Sequence, residues 1–221
     1  MIIKIFTMKK KHLILATSKN GTEITAEDCI NYLNAKDKEK LANFIYDRLY
    51  GRYLKPFDFP SSRYISDYKN GFSIMANCCL LIETFVSFAE KKFRNTERQS
   101  GKCFCYFFSS NKLFSLLSDG ALKQDGSLAD KRDGGIPNDF FENLRCGILH
   151  NGETRKGWKI TRKADIPYFE PTTKTINAFK FAKLLNKSLE IYRDQLIASD
   201  FDNDELWINF RNRLNDIITL S

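Results

Sequence analysis

Histidine is scarce in this chain, and the usual spacings of metal-binding residues are missing. Two of the 221 residues are His, and the six cysteines include no Cys-x-x-Cys pair. Zinc sites need Cys and His at short, regular spacings, so the sequence predicts no metal site and no cofactor. The cysteines lie among apolar neighbours, which is typical of free thiols packed in a core in a reducing compartment.

Long apolar runs and a secretion signal are also missing. The most apolar stretch, about 14 residues over 76–89, is shorter than the roughly 20 residues of a membrane-spanning helix, and it contains Glu83. The apolar start, Met1–Phe6, is too short for the core of a signal peptide. We therefore expect a cytoplasmic protein without a membrane partner.

The sequence does not predict a nucleotide-binding phosphate loop either, because Gly134-Gly135 lacks the Lys-Ser/Thr that follows in such a loop.

Aromatic residues and positive charge are what the chain has in excess. Hydrophobic residues make up 43% of it, with 19 Phe and 9 Tyr, which indicates a globular protein with an aromatic interior. The net charge is +8 and the isoelectric point is about 9.1. Such a charge favours a polyanionic partner, of which RNA is the obvious one. A charge that only keeps the surface soluble explains the number equally well.

Apolar periodicity predicts a mainly α protein. A small N-terminal appendage, residues 1–60, contains short strands and two helices, and residues 61–221 form a helical domain. The predicted strands are 2–6, 12–17 and 157–163. The predicted helices are 25–33, 37–53, 66–95, 110–118 (after an aromatic segment, 104–108), 137–151, 175–199 and 203–220. Residues 119–135 are predicted to form a flexible surface loop, unusually long for a compact domain and so either functional or disordered.

Glu83 is an anomaly, because it is a carboxylate in the middle of a helix that is apolar on all sides. A buried charge is costly unless it has a partner. We expect Glu83 to pair with Arg145 and to direct its guanidinium into a cleft. The alternative is that Glu83 lies at a local gap in the surface.

The segment Arg145-Cys-Gly-Ile-Leu-His150 carries the clearest chemical signal. Arg binds phosphate oxygens through a planar fork of donors, and His is the side chain best suited to move a proton near neutral pH. Five residues of ideal helix place Arg145 and His150 about 140° apart and about 7.5 Å along the axis. That separation fits a site composed from two protomers. The alternative is that His150 caps the helix by bonding its last carbonyls.

The segment Phe140–Thr154 resembles the HEPN superfamily, whose signature is Arg, four to six residues, then His on a helix of a small bundle. The resemblance implies an antiparallel helical bundle and a metal-independent ribonuclease that works as a homodimer. It implies catalytic roles for Arg145 and His150, supporting roles for Glu83 and Asn151, and a defence or toxin context with an antitoxin or sensor protein as a further partner. Cys146 stands where the family often has a polar residue.

A basic cluster follows the motif directly, and it predicts an RNA-binding surface. It consists of Arg155, Lys156, Lys159, Arg162 and Lys163, with Trp158 available to stack on a base. The alternative is a solvated hairpin with Trp158 in the core. The function predicted overall is a metal-independent endoribonuclease. The alternative is a non-catalytic helical module that binds RNA or protein.

Overall fold

The computed structural model of the protein describes residues 12–58, 69–94 and 99–220. The described chain is mainly helical with two small sheets, which confirms the predicted class. The strand predicted at 2–6 and the domain boundary between residues 60 and 61 lie outside the described residues.

Eight α-helices are described. They are α1 (Ala26–Asn34), α2 (Lys38–Tyr53), α3 (Gly71–Ala89), α4 (Ser100–Ser110), α5 (Ile136–Asp139), α6 (Cys146–Asn151), α7 (Ala178–Ala198) and α8 (Glu205–Leu220). A π-helical turn, Phe140–Arg145, joins α5 to α6. We call the continuous run 136–151 the motif helix. Short 3-10 turns cover Lys55–Phe57, Lys91–Phe93 and Lys112–Leu117.

Five short strands form the two sheets. They are β1 (Ile14–Thr17), β2 (Glu23–Thr25), β3 (Lys159–Thr161), β4 (Phe169–Glu170) and β5 (Thr175–Asn177). β1 and β2 pair antiparallel. In the other sheet β5 is central, parallel to β3 and antiparallel to β4. The strand predicted at 157–163 is therefore an edge strand of a three-stranded sheet and is shorter than expected.

The chain forms two compact units. The first takes in the described parts of residues 1–52 and 189–221 together with residues 87–94. The second takes in the described parts of residues 53–86 and 95–188. Every residue proposed from the sequence as part of a functional site belongs to the second unit.

Two side chains fix helices of the first unit. Thr25 caps α1: its hydroxyl accepts from the Asp28 backbone N–H at 3.2 Å, and its own N–H donates to the Asp28 carboxylate at 2.8 Å. This reciprocal capping box stabilises the first turn of a helix. Trp207 of α8 is fully buried and donates its indole N–H to the Leu196 carbonyl at 2.8 Å.

Aromatic rings form the core of the second unit, and Phe140 of the motif helix lies among them. Its ring centroid is 5.3 Å from that of Phe108, 5.5 Å from that of Trp158 and 5.9 Å from that of Phe181. Rings at such separations add favourable electrostatic contact to the apolar area they bury. The motif helix is thus packed into the core along one side.

Three helices differ from the prediction. The helix predicted over 66–95 is shorter, because α3 begins at Gly71 and ends at Ala89, and residues 69–70 and 90–94 lie outside it. The helix predicted over 110–118 is only the 3-10 turn Lys112–Leu117, because the aromatic segment before it is itself the helix α4. Asn111 ends α4 and caps the following 3-10 turn by accepting from the Leu113 N–H at 3.2 Å. The helix predicted from 175 begins at Ala178, where Asn177 accepts from the Lys180 N–H at 3.2 Å.

The helix α3 is, by length and composition, the one described helix that could cross a membrane. It is longer than the apolar run counted from the sequence, because Gly71 to Met75 extend it. Half of its apolar window is buried inside the structure. A core helix of a soluble protein meets the same criterion, and Glu83 in its middle has a charged partner.

The loop predicted at 119–135 has no helix or regular strand, but its ends meet. The Ile136 N–H donates to the Asp119 carbonyl at 2.9 Å. Gly120 and Gly135 pass so closely that a Cβ on Gly120 would lie 2.5 Å from the Gly135 Cα. We call this contact the neck of the loop.

Within the loop, two further contacts hold the chain. Leu122 and Leu128 form an isolated antiparallel bridge. Lys123 Nζ lies 2.9 Å from a carboxylate oxygen of Asp133. The loop is thus closed on itself as well as at its neck.

Candidate functional site

The motif helix is held in the second unit by its buried face. Phe140 and Leu144 are fully buried, whereas Phe141 and Ile148 are half-buried. The π-helical turn widens the backbone between them, so that the Cys146 N–H donates to the Phe141 carbonyl five residues earlier. Such single wide turns recur at functional sites.

Asp139 anchors the first turns of the motif helix. Its carboxylate accepts from the Asn143 side chain at 2.7 Å, from the Trp158 indole at 3.1 Å and from Lys174 Nζ at 2.7 Å. Burial alone would raise the pKa of Asp139, but these three donors outweigh it and lower the pKa below its usual value. The carboxylate therefore stays charged and joins the helix to the sheet region.

Gly147, inside the motif, is required by the close return of the chain after the helix. The Arg155 N–H donates to the Asn143 carbonyl at 2.8 Å, which brings residues 153–155 against the helix. A Cβ on Gly147 would lie 2.5 Å from the Glu153 carbonyl oxygen. Any other residue at 147 would push this segment away.

Arg145 and Glu83 form the ion pair that the sequence predicts. Arg145 Nε donates to Glu83 Oε1 at 2.8 Å and Nη2 to Oε2 at 3.1 Å. The two side chains are 15% and 13% exposed, and the guanidinium lies 5.5 Å from the centre of the Phe141 ring. Burial lowers the pKa of Arg145, but the pair with Glu83 more than compensates and raises it. Arg145 is thus a fixed cation whose third nitrogen, Nη1, is not bonded to Glu83.

Cysteine thiols surround this ion pair as packing groups. Five of the six cysteines are buried, which confirms the predicted packing role. Burial raises the pKa of Cys79 well above its usual value, and Glu83 adds to the rise. Burial and Glu83 raise the pKa of Cys103 as well. Cys146, next to Arg145 in the chain, is the half-buried exception.

His150 is exposed on the last turn of α6. In the described part of the chain its side chain makes no hydrogen bond or ion pair. The predicted alternative, in which His150 bonds the last carbonyls of the helix, therefore has no supporting contact there. Cys146 precedes it by four residues in a regular α-helix, so the two side chains lie on the same side about one turn apart. Asn151 is exposed and accepts from the Arg155 guanidinium. The described residues contain no direct contact between Arg145 and His150.

Four residues of the predicted RNA-binding cluster are exposed, and the other two are held by contacts with neighbouring residues. Arg155, Lys156, Lys159 and Lys163 are exposed. Arg162 is half-buried and donates to Asn70 Oδ1 at 2.9 Å. Trp158 is 3% exposed, with its ring stacked on Phe169 at 5.5 Å. Its ring is therefore not available to stack on a base, and the alternative of a core tryptophan is correct.

A pocket of about 600 Å³ opens beside the motif helix, and the sequence analysis missed it. Four cations line it: Lys102, Lys131, Arg155 and Lys156. Phe141 and Cys146 of the motif helix form part of its wall. Lys102 comes from α4 and Lys131 from the 119–135 loop, so no local sequence pattern joins them. The only local signal was the pair of adjacent cations after the motif. We call this the basic pocket.

The charge pattern of the site favours an anionic ligand over a metal ion. In the part of the chain that the structure describes, no group of three or more His, Cys, Asp or Glu side chains is arranged to hold a metal. The exposed cations beside the motif helix suit phosphate oxygens instead.

Comparison with known proteins finds no relative on which to base a function. The chain matches no model of a protein family, no curated protein and no solved structure. What is proposed below therefore depends on the residues of this chain and their geometry.

Proposed function

We propose that the protein is a metal-independent endoribonuclease with a HEPN-like helical bundle, active as a homodimer. The proposal is carried by two residues of one helix, a fixed Arg145 and an exposed His150 whose side chain has no partner among the described residues. Glu83 holds the guanidinium through two bonds, and the imidazole faces solvent one turn beyond the basic pocket. The positive charge of the surrounding surface suits a polyanionic substrate.

In the proposed reaction, a 2′-hydroxyl of RNA attacks the adjacent phosphorus. A general base takes the hydroxyl proton, the O2′–P bond forms and the P–O5′ bond breaks. The leaving O5′ then takes a proton from a general acid, which gives a 2′,3′-cyclic phosphate and a 5′-hydroxyl. His150 of one protomer serves as base and His150 of its partner as acid.

Arg145 is proposed to stabilise the charge that develops on the phosphorane oxygens. A fixed cation does this well, because it needs no reorganisation during the reaction. Two of its nitrogens are bonded to Glu83, so the proposal assigns the contact with substrate to Nη1. Glu83 and Asn151 are positioning residues: Glu83 orients Arg145, and Asn151 orients Arg155 through the bond between them.

The positions of the two motif residues support the proposed dimer. Arg145 points towards α3, where it meets Glu83, while His150 lies about 140° further around an ideal helix. One protomer therefore offers its two groups in different directions. Two protomers that meet at α6 would place each imidazole beside the other and both guanidinium groups around one phosphate.

The first test is RNA cleavage in EDTA by wild type, His150→Ala and His12→Ala. The substrates are single-stranded and structured RNA, and the ends are identified by their cyclic phosphate. His12 is the other histidine and is exposed, so its substitution is the matched control. We expect His150→Ala to lose activity by about 10²- to 10⁴-fold, the range for a general acid or base, and His12→Ala to keep it. Equal activity of all three proteins would contradict the proposal.

A second variant, Arg145→Lys, separates the role of the fork from that of the charge. Lysine keeps the charge opposite Glu83 but cannot bind two phosphate oxygens as a planar fork does. We expect its turnover to fall while the molar mass from sedimentation, and with it the dimer, is unchanged. Retention of full turnover would remove Arg145 from the reaction.

The second candidate function is a non-catalytic module that binds RNA or protein. The low exposure of Arg145 favours it, because a guanidinium that is 15% exposed and bonded to Glu83 can be a purely structural cation. On this alternative no variant cleaves RNA, and His150→Ala binds RNA as tightly as wild type. A verified dimer with that behaviour would decide for the module.

A further inference from the structure

The basic pocket has the charge expected of a phosphate site. Its four cations face two lining carboxylates, Asp130 and Glu142. Only Lys131 is paired with one of them, at 3.0 Å from Glu142 Oε1. Positive charge is therefore in excess inside a concave surface, where the field of several cations adds up.

Three of the four cations, all but Lys131, have no carboxylate partner among the described residues. Arg155 donates to the uncharged Asn151 amide, so its charge is not neutralised there. Within the described residues, Lys102 and Lys156 make no hydrogen bond or ion pair. Phosphate oxygens are the acceptors that such lysines bind most readily in nucleic-acid complexes.

The pocket offers a neutral recognition group beside the cations. Asn143 is 5% exposed and lines the pocket. Its side chain meets the Asp139 carboxylate at 2.7 Å, and a carboxylate only accepts, so the amide nitrogen faces Asp139. The amide oxygen is left without a partner in the described chain. It can accept from a base amino group or a ribose hydroxyl.

Lys156 is presented by a turn whose backbone is unfavourable for lysine. Its φ is 47°, in the left-handed region, and Gly157 follows with φ 81°. That region is unfavourable for most residues with a side chain, whereas Gly and Asn tolerate it. The turn closes through a 3.1 Å bond from the Trp158 N–H to the Arg155 carbonyl. The lysine is thus held at the mouth of the pocket at some cost.

We propose that the basic pocket binds one nucleotide, with Lys102 and Lys156 on its phosphates and Asn143 on its base or ribose. Its volume, about 600 Å³, lies in the range of small-molecule sites, about 300–1,000 Å³. Because His150 lies one turn beyond Cys146, a nucleotide in the pocket extends its next phosphate towards the motif. The assignment of the nucleotide to an RNA chain rests on the proposed ribonuclease function.

The binding test uses a fluorescein-labelled oligoribonucleotide with 2′-O-methyl groups, which cannot be cleaved because the attacking hydroxyl is blocked. The pocket variant is Lys102→Ala with Lys156→Asn. The control is Lys183→Ala with Lys36→Asn, which removes the same charge from an exposed helical lysine and from another left-handed lysine (φ 50°). Neither control residue lines the pocket.

We expect the pocket variant to bind about 10- to 30-fold more weakly in 0.1 M salt, because each phosphate contact on a single strand contributes about 0.7 to the slope of log K against log salt. The slope itself should flatten by about 1.4. The control should lose much less affinity. Asn tolerates the left-handed backbone at position 156, so we do not expect this substitution to unfold the protein, and a loss of affinity reports the loss of the lysine. Equal affinity and slope for the pocket variant and the control would overturn the proposal.

Cys146 provides a second test without any substitution. It lines the pocket and is the one cysteine of six that is not buried, so its alkylation by iodoacetamide, followed by peptide mass, reports on occupancy. We expect saturating oligonucleotide to slow this alkylation at least 5-fold. An unchanged rate at saturation would place the ligand elsewhere.

Competition by a free nucleoside 3′,5′-bisphosphate distinguishes the two sources of a nucleotide. Displacement of the oligonucleotide with protection of Cys146 indicates a pocket for free nucleotides, whereas protection by the oligonucleotide alone indicates an RNA chain. The test is separate from that of the ribonuclease. If the pocket variant loses binding but wild type does not cleave RNA, the nucleotide pocket stands and the ribonuclease proposal is rejected. If wild type cleaves RNA but the pocket variant binds as tightly as the control, the ribonuclease proposal stands and the pocket is rejected.

Discussion

Glu83→Gln is expected to destabilise the second unit by about 2 kcal/mol. Removal of one partner from a fully buried ion pair costs about 3–5 kcal/mol, while fully exposed pairs contribute about 0–1 kcal/mol. The Glu83 and Arg145 side chains, 13% and 15% exposed, lie near the buried end of that range. Gln retains one oxygen that can accept from Arg145 Nε, which moderates the loss.

The assay is urea unfolding of wild type, Glu83→Gln, Arg145→Met and the double variant. A Trp207→Phe background leaves Trp158, in the second unit, as the one tryptophan whose fluorescence is read. We expect each single change to cost about 2 kcal/mol and the double variant to cost at least about 1 kcal/mol less than their sum, the mark of a direct interaction. The melting temperature of Glu83→Gln should fall by about 4–8 °C.

The matched control is Lys36→Gln, which breaks an exposed ion pair with Asp202 at 2.7 Å. The two side chains are 57% and 54% exposed, so this change should alter the unfolding free energy by less than about 1 kcal/mol. If Glu83→Gln is no more costly than this control, or if the effects of the two changes at 83 and 145 simply add, then the pair does not fix Arg145 and its proposed role as a preset cation fails.

Two further predictions concern the anchoring of the motif helix. Gly147→Ala should lower the free energy of unfolding by about 1–3 kcal/mol, the usual cost of overpacking, because its Cβ would meet the Glu153 carbonyl oxygen. The control Gly51→Ala, in a helix where a Cβ has no atom within 4 Å, should raise it by up to about 1 kcal/mol. Chemical denaturation measures both, and an equal response would contradict the close approach at Gly147. Asp139→Asn should destabilise at pH 7. Since the pKa of Asp139 is lowered by folding, its contribution is present above the unfolded value of about 3.9 and is lost as the pH falls through the folded value. The difference between variant and wild type should therefore shrink below about pH 4, and a constant difference from pH 7 to 3 would show that the charge of Asp139 is not what matters.

Local signals predicted the parts of this structure that depend on neighbouring residues. The helix predicted over 25–33 forms as α1, and its first turn is fixed by the Thr25 capping box, whose two bonds join residues three positions apart. The pairing of Glu83 with Arg145 was also predictable, although the two are far apart in sequence. A single carboxylate in a buried apolar helix is costly without a cationic partner, and Arg145 of the motif is the cation that pairs with it.

Parts set by competition between neighbouring segments were not predictable. Both 104–108 and 110–118 are apolar enough for a helix, and the side chain of Asn111 decides where the first ends and the second begins. The burial of Trp158 depends on Phe140 and Phe169, which no pattern in residues 155–163 reveals. The basic pocket combines four separate stretches of the chain, 99–102, 130–131, 138–146 and 155–156, and so has no sequence signature.

The neck formed by Gly120 and Gly135 separates the tip of the loop, which evolution or an engineer can vary, from the motif helix. Since the ends of the loop are held by backbone contact, the cost of a longer loop grows only slowly with its length. The exposed tip around Gly126, beyond the bridge of Leu122 and Leu128, can then accept an inserted tag or dye without moving the motif helix. A side chain at either glycine of the neck would instead shift the start of that helix. The tip is therefore a natural attachment point for a probe that reports on the molecule while leaving its chemistry intact.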